Sequence, residues 1–307
     1  MRIAIIGAGG VGAVFGAALQ AAGAEVAFVA RGAHLQALQA QGLTIHDQAG
    51  TVLSQGPVTA ADDPAAIGPV DLVIPTVKLW DLAKAAAAAR PLVGPATLVL
   101  PLQNGVEAAD IVAAALPGPE VLGGVAQVSA RIEAPGVIRQ NGSLRSLAFG
   151  HRDGRPDARV AVLDALCRAA GIAGGATDRI ETVLWEKFAF LASMAGVGAA
   201  TRQPIGVTRA VPETRRVLIA AVAEIAAVGR ARGVALPDDF VGQITTMIDT
   251  RLETTRSSMQ QDLEAGSRLE LPWLSGAVVR LGAAAGVETP VHAALLGVLA
   301  PYAEGRP

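Results

Sequence analysis

Three glycines near the amino terminus have the spacing of a phosphate-binding turn. Gly7, Gly9 and Gly12 form the pattern G-x-G-x-x-G, which directly follows a β-branched run and opens a helix of small residues. The first glycine permits a tight turn, the second lets the backbone approach a pyrophosphate, and the third allows close packing of helix against strand. The pattern predicts a bound dinucleotide; the alternative is a tight turn without a ligand. The residues predicted to contact the dinucleotide are Gly7, Gly9, Gly10, Val11 and Gly12.

The residue after the second predicted strand determines which dinucleotide fits the turn. An acidic residue there would bond the ribose 2′-hydroxyl, whereas this chain has Arg31, whose guanidinium can pair with a 2′-phosphate through two hydrogen bonds. Lys78, in the segment TVKLWDL, is predicted at the same edge of the sheet and adds positive charge. These residues predict NADP(H) as the cofactor. The alternative for Arg31 is a solvated loop arginine.

A lysine lies within an apolar helical stripe further along the chain. At about 100° per residue, Lys187 projects near Ile180 and between Leu184 and Leu191. Burial of an ammonium group is costly and lowers its pKa, which suits a general acid that delivers a proton near neutral pH. The alternative is a lysine that extends from the edge of the stripe to water.

The hydrophobic pattern predicts two domains that position these residues. Residues 1–177 alternate strand and helix, which predicts an α/β Rossmann domain with a parallel sheet covered by helices. Residues 178–307 have helical periodicity and predict an all-α carboxyl-terminal domain. Asp178 followed by Glu181 resembles a helix N-cap with its capping-box partner. The long helical stretches are predicted at 213–232, at 239–262 and near the carboxyl end.

Composition excludes several other classes of protein. The chain has 307 residues, of which 51% are hydrophobic and 17% charged, as expected of a globular protein with room for two domains. A net charge of −2 and the lack of a basic cluster interleaved with aromatics argue against nucleic acid. Mean hydropathy is +0.43, yet no uncharged stretch reaches the roughly 20 residues of a spanning helix, which argues against a membrane.

The remaining chemical signals are weak. The single Cys167 excludes an internal disulfide and fits a reducing compartment. The amino terminus has no signal-peptide pattern, so the expected location is cytoplasmic. No strand–G-x-S-x-G–helix element for acyl transfer is present. Four histidines lack metal-ligand spacing, so no metal is expected: His34, His46, His151 and His292.

Five segments carry a resemblance to a known family, in order and spacing along nearly the whole chain. They are GAGGVG with Arg31, TVKLWDL with Lys78, LQNGVE with Asn104, LWEKF with Lys187, and SSMQQDLEAGSRLE with Ser258 and Glu270. Together these segments resemble the ketopantoate reductases (2-dehydropantoate 2-reductases). The resemblance implies a two-domain enzyme that reduces 2-dehydropantoate to pantoate with NADPH, a step toward pantothenate and coenzyme A, with its active site in the interdomain cleft.

The resemblance also implies roles for individual residues. Lys187 would protonate the ketone oxygen as hydride arrives from the nicotinamide. Asn104 would contact the cofactor and help orient the lysine and the substrate. Ser258 would contact the substrate carboxylate, and Glu270 would bind the substrate hydroxyl and influence the lysine. Each has another interpretation: Asn104 with Gly105 is a common turn pair, Ser258 an exposed helix serine, and Glu270 an acidic residue at a helix start.

Four positions depart from the family pattern, which has polar residues there: Leu191, Ala195, Pro272 and Ser275. The missing amides would line the substrate side of the site. One competing hypothesis is therefore a same-fold reductase of a less polar 2-oxo acid or an imine. Another is a dinucleotide-binding sensor without turnover, which would not need an acid such as Lys187. The expected partner is a small 2-oxo acid, and a homodimer is one prediction for the assembly.

Overall fold

The computed structural model describes residues 1–306, and these divide into two units. The first unit comprises Met1–Gln103 and Ala108–Ile180, and the second comprises Asn104–Glu107 and the described residues from Glu181 onwards. The short segment Asn104–Glu107, which lies early in the sequence, therefore belongs with the helical part of the chain. The sequence pattern did not predict this assignment.

The first unit contains strands and helices in alternation. Its strands are β1 (Arg2–Ile6), β2 (Glu25–Val29), β3 (Leu43–His46), β4 (Val52–Gly56), β5 (Thr59–Ala61), β6 (Val70–Pro75), β7 (Val93–Val99), β8 (Glu120–Val121), β9 (Gly123–Gln127), β10 (Ala130–Ala134), β11 (Val137–Gln140), β12 (Ser146–Gly150) and β13 (Ala173–Ala176). Its helices are α1 (Gly10–Ala21), α2 (Gly32–Gln41), α3 (Leu79–Ala88), α4 (Ala108–Ala115) and α5 (Ala158–Ala169).

A six-stranded parallel sheet in the order β5-β2-β1-β6-β7-β8 forms the centre of this unit. In β1 and β2 every residue after the first is buried, as expected of strands covered by helices on both faces. The chain crosses from β1 through α1 to β2, so the glycine turn lies at the carboxyl edge of the sheet. The predicted Rossmann-like α/β domain is confirmed.

Two smaller sheets complete the unit, in the orders β10-β11-β3-β4 and β13-β12-β9. The hairpin of β3 and β4 has no counterpart in the sequence prediction. Its strands are short and β4 is largely exposed, so neither forms the continuous apolar run that marks a buried strand. The four-stranded sheet supports the first helix, because α1 packs against β10 and β11.

The second unit is helical, which confirms the all-α prediction. Its helices are α6 (Ile180–Thr201), α7 (Ile205–Ala210), α8 (Pro212–Ala231), α9 (Phe240–Thr250), α10 (Ser258–Ala265), α11 (Ser275–Ala285) and α12 (Pro290–Leu299). The core is apolar and includes an edge-to-face pair of Trp185 and Phe188, with ring centroids 5.8 Å apart.

Two details of the helix prediction are wrong. The stretch 239–262 is not one helix, because the chain leaves α9 after Thr250 and starts α10 at Ser258. Ser257 forms the new N-cap, since its hydroxyl accepts a hydrogen bond from the backbone N–H of Gln260 at 3.0 Å. Helix α6 begins at Ile180, so Asp178 lies one residue before the cap position.

Helix α6 is the one described helix that is long and apolar enough to cross a membrane by length and composition. Two thirds of its most apolar window, 67%, is buried inside the protein. It also carries Glu181, Glu186 and Lys187 near its start. These features are those of the central core helix of a helical bundle.

Candidate active site

The glycine turn has the geometry of a phosphate cradle. Gly7 has a φ of +105°, which favours glycine, and a Cβ added at Gly12 would lie 2.2 Å from the Gly7 carbonyl oxygen. Gly9 is the N-cap of α1, and a Cβ added there would meet nothing within 4 Å. The backbone of Gly9 therefore faces open space beside the free N–H groups of a twelve-residue helix, and these features fit a dinucleotide pyrophosphate.

Neighbouring side chains fix this turn, although the sequence pattern did not single them out. The hydroxyl of Thr76 donates a hydrogen bond to the Gly7 carbonyl at 2.6 Å. The Nδ1 atom of His34 accepts from the Gly136 N–H at 3.1 Å, so its Nε2 carries the proton and donates to the Ala8 carbonyl at 2.8 Å. A polar residue directly after a strand that ends beside the turn is the signal that would have identified Thr76.

Gly10 and Val11, two of the residues predicted to contact the dinucleotide, also have a role in the packing of the first unit. A Cβ added at Gly10 would lie 2.2 Å from the backbone oxygen of Ala130, so glycine is needed there for α1 to pack on β10. Val11 is partly buried and packs against the core of the first unit. Contact of Gly10 and Val11 with a cofactor stays a prediction.

The predicted 2′-phosphate residues lie at the ends of strands in the first unit. Arg31 is exposed at the N-cap position of α2, two residues after the end of β2. It lines an open depression with Asp62 and Asp63, two exposed carboxylates. Lys78 is exposed at the N-cap position of α3, with its Nζ 5.5 Å from the ring centroid of Trp80. Arg31, Asp62 and Lys78 follow β2, β5 and β6, which all belong to the parallel sheet.

The second unit brings together the three predicted catalytic residues. The amide of Asn104 donates a hydrogen bond to the carboxylate of Glu270 at 3.3 Å, and Glu270 is buried. Lys187, on α6, interacts electrostatically with the same carboxylate. Burial lowers the pKa of Lys187 to about 8, and the negative charge of Glu270 opposes that shift. An ammonium with a lowered pKa beside a carboxylate is a group that can donate a proton near neutral pH.

Two short segments position Asn104 and Glu270. Gly105 turns the chain after Asn104 with a φ of +90°, and a Cβ added there would lie 3.0 Å from the Trp273 carbonyl oxygen. Glu270 directly precedes a single helical turn, Leu271–Trp273, that leads into α11. The Asn-Gly pair is thus a tight turn that also delivers the asparagine side chain to the carboxylate.

A salt bridge that the sequence pattern did not predict connects these two segments. The guanidinium of Arg280, on α11, donates to the carboxylate of Glu107 at 2.6 Å and to the carbonyls of Pro272 and Gly276 at 3.4 Å. The signal for Arg280 is a single charge within the apolar helix SGAVVRLGAAA. Glu107 stands within the motif LQNGVE, three residues after Asn104.

Family models for both parts of a known enzyme match this chain. The model described as ketopantoate reductase PanE/ApbA matches residues 3–154, and the model of its carboxyl-terminal part matches residues 179–303. The chain belongs to the ketopantoate reductase family. It is an oxidoreductase that acts on CH–OH groups, as the members of this family are.

Individual relatives are similar over nearly their whole lengths. A 2-dehydropantoate 2-reductase of Halobacterium salinarum is 32% identical, over 95% of each chain, and one of Mesorhizobium japonicum is 31% identical, over 100% of this chain and 99% of its own. A crystal structure of a PanE/ApbA family ketopantoate reductase from Ralstonia eutropha JMP134 matches with a TM-score of 0.88 and 35% identity, over 99% of this chain and 98% of its own. D-mandelate dehydrogenase shares the fold at 23% identity and a TM-score of 0.86.

The structure separates the four positions that depart from the ketopantoate reductase pattern into two pairs. Ala195 and Ser275 have no exposed surface, and the hydroxyl of Ser275 lies 3.3 Å from the Nδ1 atom of buried His292. The role of these two positions on the substrate side stays a prediction. Leu191 and Pro272 are partly exposed and are the two positions at which a lost amide would change an accessible surface.

Ser258 is the remaining residue that was predicted to contact the substrate. Ser258 is exposed at the first residue of α10, and the neighbouring Ser257 is the buried N-cap. A hydroxyl at the first turn of a helix lies beside free backbone N–H groups, which attract a carboxylate. The contact between Ser258 and the substrate stays a prediction.

His151 lies close to two carboxylates, and together these three residues could in principle hold a metal ion. The spacing of the histidines in the sequence did not predict this cluster. Within residues 1–306, atoms of Glu120, His151 and Asp157 lie within 4.8 Å of one another. The guanidinium of Arg159 bonds Glu120 at 2.9 Å and Asp157 at 2.6 Å, and Arg155 also binds Glu120. The hydrogen bonds from Arg159, with a smaller contribution from His151, hold the pKa of Asp157 well below its usual range. The cluster is an ion-pair network that links β8 to the start of α5.

Proposed function

We propose that this protein reduces 2-dehydropantoate to pantoate with NADPH, and that Lys187 is the general acid. In this proposal residues 1–177 bind the cofactor, and residues 178–307 bind the substrate and catalyse the reaction. The observation that carries it is the group of Lys187, Glu270 and Asn104 in the second unit. Relatives named as 2-dehydropantoate 2-reductases, at 32% and 31% identity, support the choice of substrate.

The first unit supplies the cofactor site in this proposal. The open backbone at Gly9 and the N-terminal N–H groups of α1 would hold the pyrophosphate, and Arg31 with Lys78 would pair with the 2′-phosphate. The bound nicotinamide supplies a hydride. Asp62 and Asp63 flank Arg31 and would repel a 2′-phosphate that Arg31 did not neutralise, so the preference for NADPH depends on that arginine.

The second unit supplies the proton and the substrate contacts. As hydride adds to the carbonyl carbon, negative charge develops on the ketone oxygen, and Lys187 Nζ donates its proton there. Glu270 accepts a hydrogen bond from the substrate hydroxyl and holds the ammonium in its charged form, while Asn104 orients the carboxylate. Ser258 would donate to the substrate carboxylate. A sensor without turnover would gain nothing from an ammonium whose pKa is about 8 beside a buried acid.

The test is NADPH oxidation by the purified protein against a panel of 2-oxo acids that includes ketopantoate, pyruvate and 2-oxoisovalerate. We expect ketopantoate to give the highest kcat/KM, with NADH a poor substitute. The variant Lys187→Ala, purified in the same way, controls for a contaminating reductase. Tight NADPH binding without turnover of any 2-oxo acid would instead support the sensor hypothesis.

A further inference from the structure

Glu107 and Arg280 lie outside the proposed chemistry but join the two segments that carry part of it. Glu107 ends the four-residue segment that begins with Asn104. Arg280 bonds the Glu107 carboxylate at 2.6 Å and the carbonyl of Pro272, in the turn that follows Glu270, at 3.4 Å. It also bonds the carbonyl of Gly276 in the first turn of its own helix. A single guanidinium is thus bonded to both segments whose side chains meet in the hydrogen bond of Asn104 to Glu270.

The exposure of this salt bridge indicates what it does. The Arg280 side chain is 53% exposed and Glu107 is 20% exposed, and ion pairs with such exposure add little to the stability of a fold. Their effect on geometry is larger, because a planar guanidinium with several acceptors fixes the distance and angle between the segments that it joins. The Asn104 bond to Glu270 is long, at 3.3 Å, so a small displacement of either segment would break it.

We propose that Glu107 and Arg280 are a positioning pair that holds Asn104 against Glu270 and so sets the geometry of the substrate-binding acid. This inference rests on the proposed function. The pair touches neither substrate nor cofactor in it and acts through Asn104. Loss of the pair lowers the rate with ketopantoate, because misplacement of a binding group by about 1 Å can cost roughly a hundredfold in rate.

The experiment compares Glu107→Gln and Arg280→Met with matched controls in a second salt bridge of the same unit. Arg215 on α8 bonds Asp249 on α9 through both carboxylate oxygens, with 35% and 40% side-chain exposure. We expect Glu107→Gln and Arg280→Met to lower kcat/KM for ketopantoate by about tenfold to a hundredfold. Arg280→Lys should recover part of that loss. Arg215→Met and Asp249→Asn should leave kcat/KM within about threefold of the unmodified enzyme.

A double-mutant cycle separates positioning from general damage to the fold. In an Asn104→Ala background, Glu107→Gln should add less than about a threefold further loss, since the residue through which it acts is gone. The Kd for NADPH and the Tm should match those of the unmodified protein. Additive losses in the cycle, or equal losses in the Arg215→Met control, would overturn the proposal.

Hydrogen exchange gives a readout that does not depend on turnover. Amide exchange in the peptide that contains Asn104–Glu107 should be faster in Glu107→Gln than in Asp249→Asn, because the turn loses its anchor. Unchanged exchange there contradicts the inference whatever the substrate is. If the unmodified enzyme fails to reduce ketopantoate while exchange responds as expected, the proposed function fails and the positioning pair stands.

Discussion

At the scale of single residues, the proposed role of Lys187 as general acid predicts how the reaction rate depends on pH. Burial lowers the pKa of this lysine to about 8, and only its protonated form can donate a proton. We expect kcat/KM for ketopantoate reduction to be constant at lower pH and to fall about tenfold per pH unit above pH 8. The measurement is a pH–rate profile with saturating NADPH.

The variant Glu270→Gln tests whether the Glu270 carboxylate raises the pKa of Lys187. The Glu270 carboxylate raises the pKa of Lys187 against the effect of burial, so its removal lowers that pKa further. The break in the profile should move to lower pH, together with a fall in the pH-independent rate. A break that moves to higher pH would show that Glu270 does not act on Lys187.

Removal of the ammonium tests its role directly. We expect Lys187→Ala to lower kcat by about 10²- to 10⁴-fold, the usual contribution of a positioned acid, with little change in the Kd for NADPH. Stopped-flow turnover and fluorescence titration measure the two quantities. Full turnover in the variant would mean that Lys187 is only a lysine that extends from the core to water.

At the same scale, the proposed function assigns the cofactor preference to Arg31. The unmodified enzyme should prefer NADPH strongly, and Arg31→Asp should invert the preference, because a third carboxylate would then join Asp62 and Asp63 around the 2′-phosphate site. The ratio of kcat/KM for NADPH and NADH measures the effect. Equal values for the two cofactors in the unmodified enzyme contradict the assignment.

At the scale of elements, two neighbouring glycines of the turn between β1 and α1 should respond differently to alanine. Gly9 has a φ of −75° and open space where a Cβ would lie, so Gly9→Ala should keep the Tm but weaken NADPH binding at least about tenfold by obstructing the pyrophosphate. At Gly10 the new Cβ would collide with the backbone of β10, so Gly10→Ala should lower the Tm. Thermal melts and NADPH titrations of both variants decide between these outcomes.

The helices and strands also show which features of the fold the sequence patterns could predict and which they could not. The alternation of apolar strands and helices predicted the parallel sheet because its strands are buried on both faces. The sequence did not predict the break between α9 and α10, because a serine can occur either on the polar face of a helix or at its N-cap. The hydrogen bond that Ser257 accepts from the Gln260 N–H identifies it as an N-cap. The salt bridge of Glu107 and Arg280 joins residues far apart in the sequence. The spacing of residues within one helix or strand cannot predict such a contact.

The site prediction had the same limit. The motif residues Lys187, Asn104 and Glu270 lie together in the structure. They could be predicted from the sequence because each stands in a segment with a recognisable pattern. The complete burial of Ala195 and Ser275 was not predicted, because position in a motif does not reveal burial. The homodimer and the cytoplasmic location stay predictions.

At the scale of the whole molecule, the substrate range depends on how many polar groups meet the ketopantoate hydroxyl. Leu191 and Pro272 are partly exposed and offer no side-chain donor, so in the proposed function Glu270 is the main partner of this hydroxyl. We expect kcat/KM for ketopantoate to exceed that for its deoxy analogue, 3,3-dimethyl-2-oxobutanoate, by only about 10- to 100-fold. A ratio above roughly 10⁴ would show that other groups pair the hydroxyl.

The membership of Asn104–Glu107 in the second unit affects how this enzyme can be recombined with its relatives. A chimera that takes its first 180 residues from a relative and the rest from this chain inherits a foreign version of that segment. If the donor lacks an acid at the position of Glu107, Arg280 loses its carboxylate partner although no residue of the carboxyl-terminal half has changed. If Glu107 and Arg280 act as the proposed positioning pair, we expect that the carboxyl-terminal half alone does not transfer full activity with ketopantoate. An exchange that preserves this activity must then carry these four residues along.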